Sequence, residues 1–221
     1  SDTKDATLAE ALSELRLIKD EYEVGQLREA VAATIRGFED IVSVLPRAIG
    51  GERGERVVEG AFFSRARLEG NDLGYDTIAA SGNNATVLHW IRNNGSVKPG
   101  ELILVDAGVE AESLYTADLT RTLPVTGSYT DVQRRIYQAV LDAADAAFDV
   151  AVPGNKFRDL HAAAMKVLAQ RNGGCCRCPR RSPCPRPVST TAAGCRTVRA
   201  TTWDWTCTTA PRPSVSSTWT L

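Results

Sequence analysis

The stretch "ELILVDAGVEAESLYTADLTRTLPV", Glu101 to Val125, decides the fold. Its first part, "ELILVDAGV", reads as a buried strand running into Gly108. Its last part, "SLYTADLTRTLPV", reads as a second strand, ended by Pro124 and Gly127. Each strand carries one aspartate, Asp106 and Asp118. Side chains alternate along a strand and pair across a hairpin, so both carboxylates could share one face. Two bare carboxylates in an apolar setting repel each other and resist desolvation, so a cation would have to join them. Hard oxygen donors suit manganese, magnesium, calcium or a two-metal hydrolytic site. The rival reading has Asp106 cap a turn before Gly108 and Asp118 pair with Arg121. Spacing alone leaves both open.

Working outward, helices flank this region. Asp20 is the expected N-cap of a long helix, with acidic residues behind it in the first turn. Val24, Leu27, Val31, Ile35, Phe38, Ile41 and Leu45 then recur at steps of three or four, and the helix should end before Pro46 or at Gly50-Gly51. A second helix is expected over Glu55 to Leu68. "GYDTIAASG" reads as a strand, "ATVLHW" as a short strand or strand end, and "NNGSVKPG" as a turn. Thr130 should cap a third helix whose stripe is Val132, Ile136, Val140, Ala144 and Phe148. Pro153-Gly154 breaks it, and a fourth helix should run from about Phe157 to about Gln170. Strands clustered between helices predict an α+β class, an antiparallel sheet covered by helices. "GERGERVVEG" follows a helix rather than a strand, which argues against a nucleotide cradle.

Composition divides the chain. Its 221 residues hold 26 basic and 27 acidic side chains. That length fits one large domain or two small ones. No run approaches the roughly 18 uninterrupted apolar residues of a membrane span. The opening "SDTKDATLAE" lacks a signal peptide's apolar core and an initiator Met, so a fragment or processed form is expected. All six cysteines, three of the four tryptophans and six of the ten prolines lie beyond Arg171. That tail has seven arginines and one acid, Asp204, and it lacks Lys, Glu, Ile and His altogether. Ordinary domains do not omit these residues together. Two segments are therefore expected: a folded body, 1–171, and a disordered tail, 172–221. The cysteine-free body points to a cytoplasmic location.

Three motifs taken in order, "SGNNATVLHW", "GELILVDAG" and "YTADLTRTLPVTG", resemble the Xaa-Pro aminopeptidases, in the prolidase branch of the pita-bread metallopeptidases. The resemblance runs from about Asp20 to Gln170. It implies an incomplete pita-bread fold and metal-dependent removal of an N-terminal residue that precedes proline. It makes Asp106 and Asp118 the first two ligands of a dinuclear divalent site, usually manganese. It matches His89 to a histidine that contacts substrate or the reacting carbonyl oxygen. Without the resemblance, a lone His beside Trp90 reads as a structural residue, and His161, on an expected helix, reads as a structural or surface one. The implied partners are peptides with proline at the second position, with no nucleic acid and no membrane; a homo-oligomer stays open. The family's separate N-terminal domain is expected to be absent. A dipeptidase (prolidase) and a non-catalytic pita-bread binding module are the alternatives.

The family also needs a histidine and two glutamates further on, and the tail has none. Back-translated with G- or C-rich third bases and read from each codon's third base, Gly174 onward becomes a string containing "HGTSHHLGLDVHD". That string resembles the family's histidine-ligand signature. Its histidines depend on the third bases chosen. Trp203-Asp204-Trp205-Thr206, however, forces Gly-Leu-Asp in the shifted register. A frameshift near Asn172 to Gly174 is the expectation, and it leaves the chain as written without its later ligands. The rival is a cysteine module: Cys175 and Cys178 form one C-x-x-C, but the second close pair that zinc ribbons want is missing.

Overall fold

The computed structural model describes residues 2–172. They fall into a first unit ending at Val125 and a second beginning at Thr126. The first unit runs α1 (Asp2–Leu17), α2 (Glu21–Ala48), α3 (Gly54–Glu69), β1 (Asp72–Leu73), β2 (Ile78–Ser81), a 3-10 turn (Gly82–Thr86), β3 (Leu102–Ala107), β4 (Val109–Glu110) and β5 (Leu119–Pro124). Strands β2, β3 and β5 form an antiparallel sheet in the order β2-β3-β5, and β1 pairs antiparallel with β4. The expected tail lies outside the described residues.

Helix α2 starts where the sequence places it. Asp20 Oδ1 accepts from the Glu23 backbone N–H at 2.8 Å, and Glu23 Oε2 accepts from the Asp20 N–H at 2.7 Å. This reciprocal capping satisfies two donors that a helix N-terminus would otherwise leave open. The helix passes through Pro46 to Ala48, so it stops at the glycine pair and not before the proline. A proline in the last turn forfeits one hydrogen bond, and packing offsets that. The apolar stripe is correct in period and displaced in phase. Leu27, Ile41 and Leu45 are buried, but Ile35 is 48% exposed, and Ala30, Ala33, Thr34 and Gly37 lie inside. Ala30 packs with Ala111 and Ala117, and Thr34 meets the Val109 N–H, while Gly37 lets α3 lie close. A Cβ added at Gly37 would meet the Phe62 ring at 2.5 Å.

Phe62, Val58 and Ala66 of α3 join Ile41 and Leu45 of α2 and Ile103, Val105 and Ala107 of β3 in one core. Arg65 fastens α3 to α2: its Nε reaches Asp40 Oδ2 at 2.7 Å and its Nη1 reaches Glu69 at 2.7 Å. Arg36 also pairs with Glu69. These partners hold the Glu69 carboxyl below its ordinary range, the Arg36 bond being the largest cause.

The run expected as a strand, "ATVLHW", is not one. The 3-10 turn occupies Gly82–Thr86, and irregular chain follows. Side-chain hydrogen bonds hold this segment where a neighbouring strand would otherwise be needed. Helix α1 was not expected. Leu8, Leu12 and Leu15 recur at helical steps, which is its signal in the sequence, yet all three are exposed.

The second unit contains α4 (Asp131–Val150) and α5 (Phe157–Asn172), which pack together. Thr130 and Gln133 form the capping box of α4. The expected stripe lies outward: Val132, Ile136, Val140 and Phe148 are exposed, while Ala143 and Ala147 are buried.

Candidate metal centre

Alternation along β3 separates its side chains. Ile103, Val105 and Ala107 enter the core, and Asp106 belongs to the opposite face, 3% exposed. Register places Asp106 directly across from Thr120 on β5 and from Ile78 on β2. Thr120 donates its hydroxyl to Asp106 Oδ2 at 2.8 Å.

The link between the aspartates is set by Gly108. The chain leaves β3, passes β4 and returns, with the Ala117 N–H donating to the Val109 carbonyl at 3.1 Å and the Ala111 N–H to the Tyr115 carbonyl at 2.8 Å. A Cβ on Gly108 would lie 1.6 Å from the Ala117 carbonyl oxygen, so only glycine allows the two strands to approach. The Val109 N–H donates to Thr34 Oγ1 at 2.9 Å, and Tyr115 donates its hydroxyl to Glu23 Oε1 at 2.6 Å, so both ends of the hairpin are tied to α2. The bond to Glu23 pushes the Tyr115 phenol up to about 12.

Asp118 lies just before β5 and not within it: the strand expected from Ser113 begins only at Leu119. It is exposed, and it still meets Asp106 through a third residue. The Tyr75 hydroxyl is 2.7 Å from Asp106 Oδ1 and 2.9 Å from Asp118 Oδ1. Burial, then the bond to Asp106, drives this phenol well above its usual range. Its single proton can serve one carboxylate at a time. The turn-cap reading of Asp106 does not hold, because Asp106 is a strand residue. Arg121 donates to the Thr120 carbonyl.

The two carboxylates therefore converge, with hydroxyls as neighbours, on a point where two negative charges share one proton. That donor set fits a hard divalent cation. Asp106 and Asp118 would hold it, with Tyr75 and Thr120 steadying the Asp106 oxygens. Among the described residues, no group of three or more His, Cys, Asp and Glu completes such a site.

His89 lies exposed on the irregular chain after the 3-10 turn. His161 is exposed on α5. Sequence reasoning missed Tyr75 and Thr120. Thr120 follows from the hairpin register once Gly108 is recognised as the crossing point. Tyr75 lies three residues before β2 and 43 before Asp118, beyond any local signal.

A helix-backed antiparallel sheet with this paired acidic face defines a metal-dependent hydrolase as the class to test, and the comparisons agree. The family model described as metallopeptidase family M24 matches residues 25–184. The chain belongs to this metallopeptidase family. It is 54% identical over 168 residues to Xaa-Pro aminopeptidase 1 of Streptomyces coelicolor, a match covering 76% of this chain and 34% of the relative. It is 30% identical over 172 residues to Xaa-Pro aminopeptidase 3 of Mus musculus, covering 77% and 33%. Among solved structures, Pseudomonas aeruginosa aminopeptidase PepP matches with TM-score 0.67 and 33% identity, covering 73% of this chain and 36% of that one. Escherichia coli aminopeptidase P with the inhibitor Pro-Leu matches with TM-score 0.66 and 29% identity, covering 73% and 36%. The α+β, pita-bread reading of the fold stands. The chain spans about a third of the length of the curated relatives it matches. No described helix is long and apolar enough to cross a membrane.

Proposed function

We propose that this chain is the first part of the catalytic domain of a Xaa-Pro aminopeptidase, acting on peptides with proline at the second position. The observation that carries the reading is the Tyr75 hydroxyl held 2.7 and 2.9 Å from two carboxylates, in a chain so similar to enzymes of that name. Asp106 and Asp118 are the proposed ligands of a divalent pair, with manganese the metal to test first. Such a pair, when bound, supplies ionisation of water near neutral pH. The chain's own residues do the rest. Thr120 and Tyr75 fix the Asp106 carboxylate, Gly108 sets the spacing of the aspartates, and His89 is the proposed contact to substrate.

The further proposal is that the chain as written is a weak peptidase or none. Its tail has neither histidine nor glutamate, and a single shift of reading frame near Asn172 to Gly174 accounts for that alphabet. The test is manganese-dependent release of the N-terminal residue from a Xaa-Pro peptide, using this chain beside a longer form with the frame restored. Activity is expected from the longer form alone. Full activity in the chain as written would refute the account of its missing ligands, and an unbroken frame in the source DNA would refute the shift. A non-catalytic pita-bread module is favoured by one observation, the lack of a third donor among the described residues. A restored form that takes up no metal would support that module.

A further inference from the structure

Glu55 is fully buried in the first turn of α3, and nothing in the proposed chemistry uses it. Its carboxylate accepts four N–H bonds. Oε1 takes the Ser81 backbone N–H at 2.8 Å and the Asn84 side-chain amide at 2.8 Å. Oε2 takes the Trp90 indole N–H at 2.9 Å and the Gly95 backbone N–H at 2.6 Å. Glu55 returns the last of these through its own backbone, whose N–H donates to the Gly95 carbonyl at 3.1 Å. The four donors run from Ser81 at the end of β2, through the 3-10 turn, to Gly95 beyond the irregular stretch that carries His89.

The surroundings fit this one anion closely. A Cβ on Gly95 would lie 2.4 Å from the Asn84 amide nitrogen and 2.8 Å from the Glu55 carboxyl. The N-terminus of α3 favours negative charge at this position. Asn93 secures the far end of the stretch. Held at φ 45, it accepts from the Ala79 N–H at 2.9 Å and donates to the Thr77 carbonyl at 2.8 Å. A segment without strand partners thus takes its shape from side chains in the core, and Glu55 is the centre of that set.

We infer that Glu55 is a positioning residue: through Trp90 and Gly95 it sets the orientation of the loop that presents His89. The consequence for catalysis rests on the reading of His89 as a substrate contact; the structural claim does not. Carbon–proton spectra of the imidazole Cε1–H groups test it on the full chain without metal or substrate. The chain has two histidines, so His161 is the internal control. Glu55→Gln places an amide donor where one carboxylate oxygen accepted two N–H bonds. The His89 signal should move or broaden while that of His161 stays. Exchange of the Ser81 and Gly95 amides should quicken by roughly tenfold or more, as expected when a hydrogen bond to a charged group is lost. Exchange of the Val105 amide in β3 should not change. Quicker loop exchange with an unmoved His89 signal overturns the inference, and so does unchanged loop exchange. Should E55Q fail to fold, Trp90→Phe removes a single donor. It should shift His89 in the same direction by less, and no shift overturns the inference. Because no step of the test needs peptidase activity, failure of the aminopeptidase reading would be seen separately.

Discussion

Asp106 and Glu55 are both buried carboxylates, and they are held in opposite ways. Glu55 accepts four N–H bonds, two to each oxygen. Asp106 has a hydroxyl on each oxygen, and one of those hydroxyls also faces Asp118. The first arrangement spreads one negative charge over many fixed donors. The second has two negative charges sharing one of its hydroxyl donors. A carboxylate whose donors are all fixed holds the fold together. A pair that shares a donor has room for a cation. Burial does not separate these roles, since both side chains are inside; the donors do.

The largest test of that contrast is to remove each acid. Glu55→Ala leaves four N–H groups without their acceptor and should cost about 3 kcal/mol or more in urea unfolding. A cost under about 1 kcal/mol would break the comparison at its structural end. Asp106→Asn should change metal-free stability little and should abolish stabilisation by manganese. In the parent chain that stabilisation should reach about 2.7 kcal/mol at a metal concentration a hundred times Kd. Equal manganese stabilisation in D106N would break the comparison at its metal end. Gly108→Ala touches neither acid but forces Ala117 away from β3. It should cost about 2 kcal/mol and weaken manganese binding, read by the same two titrations.

The smallest effect sharpens what an exposed pairing is worth. Glu69, partnered by Arg36 and Arg65, has its folded-state pKa lowered. A lowered pKa contributes stability above the unfolded value of roughly 4.3, and that contribution fades as pH falls through the folded value. Wild type should therefore exceed Glu69→Gln by about 1 kcal/mol at most near neutrality. Melting curves of the two should converge in acid. A gap that widened on acidification would reverse the assigned sign.

What the sequence shows, it shows through local physics. The hairpin from Glu101 to Val125 could be read because strand alternation, Gly108 and Pro124 act within a few residues. Asp106 and Asp118 could be picked out for the same reason, and Asp20 and Thr130 announced their helices through capping. The phase of α2 could not be read, because Gly37 is inside only on account of Phe62, 25 residues away on another helix. "ATVLHW" has the residues of a strand, but Thr86 and Val87 turn back to the carbonyls of Asn83 and Asn84, and Trp90 donates to the Glu55 side chain. Glu55 itself was legible only as the start of a helix, because its bond to Gly95 spans 40 residues. These misses are contacts made by tertiary packing; α1, with its exposed leucines at helical steps, was a local signal left unread.

The Glu55–Gly95 bond also bears on how the molecule ages. Asn94 is exposed and is followed by Gly95, the pairing that deamidates most readily in unstructured peptides. That reaction begins when the glycine nitrogen attacks the asparagine side chain and closes a five-membered imide. Here the attacking nitrogen is committed to a carboxylate 2.6 Å away, and its plane is fixed by the loop. Ring closure must wait for the loop to open, so the shelf life of this bond is governed from within the protein by a glutamate forty positions earlier in the chain.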